Sequence, residues 1–185
     1  MTTFFIADTH FGHTNIIRYC NRPFETKEEH DETIISNWNS VVSKNDHVFH
    51  LGDFGFGHPK YLHSIAQRLH GKIHLIKGNH DKNGMIKHLS FRFSTIREVY
   101  LYAGHYKGKT QRIFLSHYPH RSWQMSGRGS WHLFGHVHGN MGPHYRSFDV
   151  GVDSWNFTPI SIDQVGKKIE ELESLFDMNK KENYN

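Results

Sequence analysis

Cysteine is nearly missing from this chain: Cys20 is the only one among 185 residues. An internal disulfide is therefore excluded, and so is a zinc site built on several thiolates. No Ser/Pro-rich linker, low-complexity tract or internal repeat divides the chain. No uninterrupted apolar run approaches the length a bilayer requires, so no membrane partner is expected. Met1 runs almost at once into an apolar stretch ending at Asp8, without room for the basic segment, apolar core and cleavage site of a signal peptide; the expected location is cytoplasmic. A dense basic stripe is also lacking. The formal net charge of +4 and pI near 9.1 suit a phosphate-bearing partner, but ordinary solubility accounts for them equally well.

What the chain does have is aromatic residues and histidine. Fourteen Phe, eight Tyr and four Trp in so polar a sequence argue for a packed globular structure. The length suits a single domain, expected over residues 1–177, followed by a polar tail over 178–185. Eighteen histidines are too many for packing alone to explain, because imidazoles are not favoured in cores and are the commonest metal ligands.

Taken in order, the periodicity predicts alternating strands and helices. Thr3 to Ala7 reads as a strand, and residues 11–17 as a loop passing into a short helix. Thr26 and Glu29 form a capping box for an amphipathic helix over 27–43, carrying Ile34, Ile35, Trp38, Val41 and Val42. His47 to Leu51 is a second strand. Pro59 opens a helix stopped near Gly71, and Lys72 to Lys77 is a third strand. This alternation argues for an α/β sheet with parallel pairs. Ile96 to Tyr102 and Gln111 to Leu115 read as a hairpin turning over 104–109; further strands are expected at Trp131 to Phe134 and Arg146 to Val152, with a last helix over 163–176.

Five of these strands end in groups able to hold a cation. Asp8 and His10 stand two positions apart, so at a strand end both side chains leave on one side. Asp53 follows Gly52, Asn79 and His80 follow Gly78, His117 follows Ser116, and His136 and His138 follow Gly135. The crevice beyond the carboxyl ends of strands in an open α/β sheet is where such loops converge. The glycines stand where tight turns or close backbone approach would be needed. Taken singly, Asp8 or Asp53 reads as a turn former, Asn79 as a hairpin corner and His117 as a loop histidine. Only their joint order makes a site.

That ordered set, Asp-x-His, Gly-Asp, Gly-Asn-His-Asp, His and Gly-His-x-His over residues 8 to 138, resembles the calcineurin-like metallophosphoesterase family. Asp8-Thr9-His10-Phe11-Gly12-His13 and Gly151-Val152-Asp153 look closest to its small bacterial and phage members. The resemblance implies a four-layer αββα sandwich with mixed sheets and two divalent metal ions at the strand ends. By analogy Asp8, His10, Asp53 and His138 would hold one ion and Asp53, Asn79, His117 and His136 the other, with Asp53 bridging. His80 would stand beside the leaving oxygen as general acid or electrostatic stabiliser, making His80 and Asp53 the expected catalytic residues.

The chemistry agrees with this assignment. Two divalent ions about 3.5–4 Å apart turn a bridging water into hydroxide near neutral pH and clamp the phosphoryl oxygens. A carboxylate suits the shared position because each of its oxygens can take one ion. The mixed oxygen and imidazole donors favour transition ions over Mg or Ca: Mn first, with Fe, Zn, Ni or Co as alternatives. The expected reaction is hydrolysis of a phosphate ester by attack of a metal-bound hydroxide. A diester, with nucleotides and cyclic nucleotides among the classes, is preferred because no arginine pair lies within the motifs. Nucleic acid enters only as a substrate. Substrate-binding candidates are His13, Arg121 and Asn79, and the arginines and histidines at positions 22, 50, 120 and 128 are further candidates for phosphate contact or ligand orientation. Alternatives are a phosphomonoesterase on the same site and a non-catalytic interaction module on this scaffold, although the latter predicts a missing ligand and His80 is present.

Overall fold

Apolar residues on both faces of the first strand dictate a sheet covered on both sides. In β1 (Thr3–Ile6) and the residue after it, Phe4 and Ile6 belong to one buried cluster while Phe5 and Ala7 belong to another. The computed structural model describes residues 1–182, with side chains to residue 178. β1 pairs in parallel with β2 (His47–His50), which pairs with β3 (Lys72–Ile76), which pairs with β4 (Phe93–Arg97). The two-residue β9 (Ile160–Ser161) closes the other edge antiparallel to β1.

After the short α1 (Thr14–Tyr19), the first cluster's side is covered by α2 (Lys27–Val41), α3 (Pro59–Arg68) and α4 (Asn83–Leu89), through residues such as Ile34, Trp38, Leu62, Ile65 and Leu89. Thr26 caps α2 by accepting the Glu29 amide at 3.1 Å, whereas the Glu29 carboxylate reaches back to the amide of Glu25. Only half of the expected capping box forms. Trp38 is fully buried, and its indole N–H donates to the His70 carbonyl at 3.0 Å, so this helix is fixed to the loop before β3 by packing and a satisfied polar tip.

The second cluster joins this sheet to a second one of β5 (Val99–Tyr106), β6 (Lys109–Ser116), β7 (Trp131–Phe134) and β8 (Ser147–Asp149). β5 and β6 are antiparallel; β6 to β8 are parallel. α5 (Ile162–Glu182) brings Val165, Ile169 and Leu172 into the same cluster. The fold is thus α/β with two mixed sheets and helices, as the sequence motifs imply. Trp131 is part of this core.

Local departures have physical reasons. The expected arm over 96–102 is divided between the sheets: β4 ends at Arg97, and β5 begins at Val99 in the other sheet. The hairpin turns at Lys107 and Gly108, not from Gly104, which pairs with Gln111 inside β5 at a position where a side chain would meet Ile162 Cδ1 at 2.5 Å. The strand expected over 146–152 is only Ser147–Asp149, and α5 runs past the expected end at 176. Residues 183–185, at the end of the expected tail, lie outside the described residues.

Candidate metal centre

The carboxyl ends of β1, β2 and β3 and of β6 and β7 open onto one crevice. Asp8, His10, Asp53, His136 and His138 all adopt left-handed backbone angles, with φ of 58°, 47°, 56°, 72° and 50°. Such φ values are uncommon outside glycine and are held only when the surroundings over-determine them. Here hydrogen bonds between loops do so. The amides of Asp8 and His10 donate to the Gly52 and Asp53 carbonyls at 3.0 Å each, and the His136 amide donates to Asp8 Oδ2 at 2.8 Å.

Two donor groups result. Asp8, His10 and His138 offer atoms within 4.8 Å of one another, and so do Asp53, His117 and His136. Asp53 Oδ2 stands between them, 3.5 Å from His10 Nε2 and 3.6 Å from His117 Nε2. Its Oδ1 accepts the His80 amide at 2.8 Å. Asn79 Oδ1 lies 3.0 Å from His117 Nε2. All seven side chains expected to ligate are therefore gathered in one place, three of them from the second sheet. Glycine makes the approach feasible: a Cβ at Gly78 would lie 2.3 Å from Asp53 Oδ1, and one at Gly135 2.6 Å from Asp8 Oδ2. Gly52, at φ 98°, has only 2.5 Å to His117 Nδ1.

These donors fit cations. Asp8 Oδ1 and His10 Nε2 are buried with no hydrogen-bond partner, a costly arrangement for a folded chain unless an ion completes it. His117 Nδ1 faces the Leu51 carbonyl at 2.8 Å and must donate to it, which leaves its Nε2 lone pair pointing at another acceptor, Asn79 Oδ1. A shared positive charge resolves that contact. The electrostatics agree: burial pushes the Asp8 carboxyl well above its usual range, although His138 opposes this. Burial, with Arg22 and neighbouring imidazoles, holds His10 far below its usual value. At His138 burial also disfavours the cation, yet hydrogen bonds with Asp153 and Cys20 and the Asp8 charge outweigh it and raise the imidazole to about 10. Asp8 and His138 are thus drawn toward positive charge, whereas His10 is held neutral, the form in which an imidazole can ligate.

Behind the donors lies a buried chain of ion pairs. Arg22 Nε and Nη2 donate to the two oxygens of Asp153 at 2.8 Å each, and Asp153 Oδ2 accepts from His138 Nδ1 at 2.7 Å. Arg22 also donates to the Asp8 carbonyl at 2.8 Å and, through Nη1, to His30 Nε2 at 2.7 Å. With Nε2 accepting, His30 donates through Nδ1 to Asp31, whose other oxygen receives the Gly12 amide and the Tyr61 hydroxyl. Asp81 ties two motif loops together by accepting the amides of Asp53, Phe54 and Gly78; burial raises its carboxyl to about 6. Asp149 does the same for Gly139 and Gly151. Of these, Arg22 is among the sequence candidates for phosphate contact or ligand orientation, and its hydrogen bonds turn it toward Asp153 and the Asp8 carbonyl. Asp153, Asp149, His30 and Asp31 are not among those candidates, and the sequence signal available was Gly151-Val152-Asp153.

Other sequence candidates fall at different distances. His13 is at the rim, its Nδ1 3.5 Å from His10 Nδ1, and the His80 ring is 5.3 Å from that of His10. His50 is buried beneath the site and bonded to Thr9 Oγ1 at 2.9 Å. Arg121 and His120 line a hollow with Phe134, Met141 and His144 that includes none of the seven donors. Arg128 lies in a 3-10 turn, Ser126–Arg128, and the Trp123 indole donates to the Ser130 carbonyl.

A two-sheet α/β sandwich whose strand ends gather carboxylates, imidazoles and an amide around unsatisfied buried atoms defines a metal-dependent class of hydrolytic scaffold. The model of the calcineurin-like phosphoesterase superfamily domain matches residues 1–148, and the chain belongs to that family. It is 37% identical over 176 residues to an uncharacterised protein of Methanocaldococcus jannaschii, covering 90% of each chain. It is 30% identical over 185 residues to the gene 66 protein of Mycobacterium phage L5, covering 83% of this chain and 87% of that one. Among solved structures, it resembles a protein of unknown function from Aquifex aeolicus, with a TM-score of 0.69, 26% identity, and coverage of 92% and 98%. The phage relative agrees with the phage-type placement read from the motifs. Family membership carries typical dependence on divalent metal and implies a phosphate-ester substrate. Among the described residues, no helix is long and apolar enough to cross a membrane.

Proposed function

We propose that this domain is a binuclear metal phosphodiesterase. The observation that carries this reading is the position of Asp53 Oδ2 between His10 and His117, beside the unpartnered Asp8 Oδ1 and His10 Nε2. Asp8, His10, His138 and Asp53 would hold one ion, and Asp53, Asn79, His117 and His136 the other, with Mn the first choice and Fe, Zn, Ni or Co the alternatives. Bound there, the ions supply Lewis acidity toward the phosphoryl oxygens and acidify the attacking water.

The chain's own groups do the rest. His80 is anchored through its backbone to Asp53 Oδ1, which leaves its imidazole free to hold a proton for the leaving oxygen. His13 is positioned at the rim for a phosphate oxygen. Preference for a diester rests on the cations: the Arg22 guanidinium is committed to Asp153, His30 and the Asp8 carbonyl, so it is not free to neutralise a dianionic monoester. The complete donor set argues against a non-catalytic interaction module. A single cysteine suits a cytoplasmic setting.

The test is to strip the protein of metal, add Mn, Ni, Zn or Mg, and compare an aryl phosphodiester, the matching monoester and cyclic nucleotides. Hydrolysis with a transition ion and a diester preference is expected. Asp53→Asn should lose at least about a thousandfold in kcat and bind fewer ions while its circular dichroism is unchanged, as expected when the shared ligand of a two-ion centre is removed. An Asp53→Asn variant with full turnover and two bound ions would sink the assignment.

A further inference from the structure

The crevice continues past His80 into a hollow that the metal chemistry does not use. It has a volume of about 610 Å³ and is walled by Phe56, His80, Lys82, Leu62, Met85 and His88, between the loop after β2 and helix α4. Phe56 is 44% exposed, an unusual position for a phenyl ring, and it meets the His80 ring edge-on at 5.7 Å and the His13 ring at 4.8 Å. Lys82 Nζ stands 6.0 Å from the centre of that phenyl ring. A second hollow, of about 530 Å³, adjoins the first through Pro59 and His88 and carries His58, Lys60 and His63. The furrow leading away from His80 thus offers an exposed aromatic face, then a lysine, then imidazoles and another lysine. None of the residues walling these two hollows is acidic.

Across the centre, Tyr118 is 47% exposed and stands edge-on to His136 at 4.7 Å and to His117 at 5.0 Å. An aromatic ring therefore stands beside His80 and His13 on one side and beside His117 and His136 on the other. A phosphate with one organic substituent can use only one of them; a phosphate joining two nucleosides can use both. Exposed rings standing beside lysines can hold single-stranded nucleic acid without reading its sequence, through stacking of bases and pairing with phosphates.

We propose that the substrate is a single-stranded oligonucleotide, with the nucleoside on the His80 side stacked on Phe56 and the next phosphates lying along Lys82, His88 and Lys60. This rests on the phosphodiesterase reading of the metal centre and deepens it. In the reaction, water adds to phosphorus, the P–O bond to the departing nucleoside breaks, and that oxygen takes up a proton, leaving one phosphomonoester end and one hydroxyl end.

The experiment compares binding of labelled hexathymidylate with binding of an abasic phosphodiester hexamer of equal charge, by fluorescence anisotropy with the metal-free and the Mn-loaded protein. The wild type should bind hexathymidylate about tenfold or more tighter, as expected from base stacking on aromatic side chains. Phe56→Ala should bring the ratio toward one, and Phe56→Trp should keep it. Lys82→Ala should weaken both strands together and flatten the dependence on salt. Equal binding of the two strands by the wild type, no binding of either, or a ratio untouched by Phe56→Ala would overturn the proposal. The two readings fail separately. Hydrolysis of bis(p-nitrophenyl) phosphate without base discrimination refutes the oligonucleotide, whereas discrimination without metal uptake or hydrolysis refutes the phosphodiesterase.

Discussion

Asp153→Asn tests the ion-pair chain behind the metal centre with a change of almost no volume. Asp153 has three donors to satisfy: Arg22 Nε and Nη2 at 2.8 Å each and His138 Nδ1 at 2.7 Å. An asparagine has one oxygen to offer. With that oxygen toward Arg22 Nη2 and His138, its NH₂ points at the Arg22 Nε–H, donor against donor. Turned over, the NH₂ faces His138 Nδ1 and forces that nitrogen to accept, which places the imidazole proton on Nε2, the nitrogen the proposed centre would use for a cation. Either way the Arg22 side chain, itself fully buried, loses its counter-charge. Breaking a buried pair by removing one partner costs about 3–5 kcal/mol. Loss of the carboxylate behind a ligating histidine typically lowers metal affinity by about 10–100-fold. The stability loss is read by urea denaturation of the metal-free protein and the affinity loss by calorimetric titration with Mn. A variant within about 1 kcal/mol of the wild type and within twofold in Mn affinity would refute this account of Arg22, Asp153 and His138.

Two further outcomes follow from other sites. His80→Ala should lower kcat by about 10²–10⁴-fold, the usual size of a lost general acid, with metal content by elemental analysis unchanged; loss of metal would mean that His80 is a ligand. His132 is fully buried between the hydroxyls of Ser116 and Ser147, and burial, helped by His120, lowers its pKa to about 3. Because the folded value lies below the unfolded value of about 6.5, the unfolded chain takes up a proton that the folded chain refuses, and stability falls as pH drops through that window. By pH 4 this amounts to at most about 3 kcal/mol. His132→Gln should therefore lose less stability than the wild type between pH 7 and pH 4 in urea melts, and parallel curves would dismiss the effect.

The strand ends were legible because each announces itself locally. At three of the five a glycine ends the strand and a carboxylate, amide or imidazole follows, as at Gly52-Asp53 and Gly78-Asn79; at Asp8 and His117 the polar group follows Ala7 and Ser116 directly. The support behind them was not, because Arg22 and Asp153 are 131 positions apart and a lone arginine carries no sign of its partner. Helix α4 escaped notice since it contains Gly84 and its first turn has no side-chain cap. Strand β4 is a half-buried edge with Ser94, Thr95 and Arg97 among five residues. Gly104 misled for a related reason: glycine signals a turn and close packing alike, and only the contact with Ile162 decides which.

The crevice draws Asp8, His10, Asp53 and Asn79 from one sheet and His117, His136 and His138 from the other. Any ion seated there would rivet two slabs that are otherwise joined by side-chain packing, by hydrogen bonds such as that from the Ala7 amide to the Val150 carbonyl, and by short connections such as the one at Glu98. Chelation thus removes a mechanical fastener along with a reagent, and loosening should be felt in Phe5 and Leu133 at the sandwich's centre as well as at its mouth.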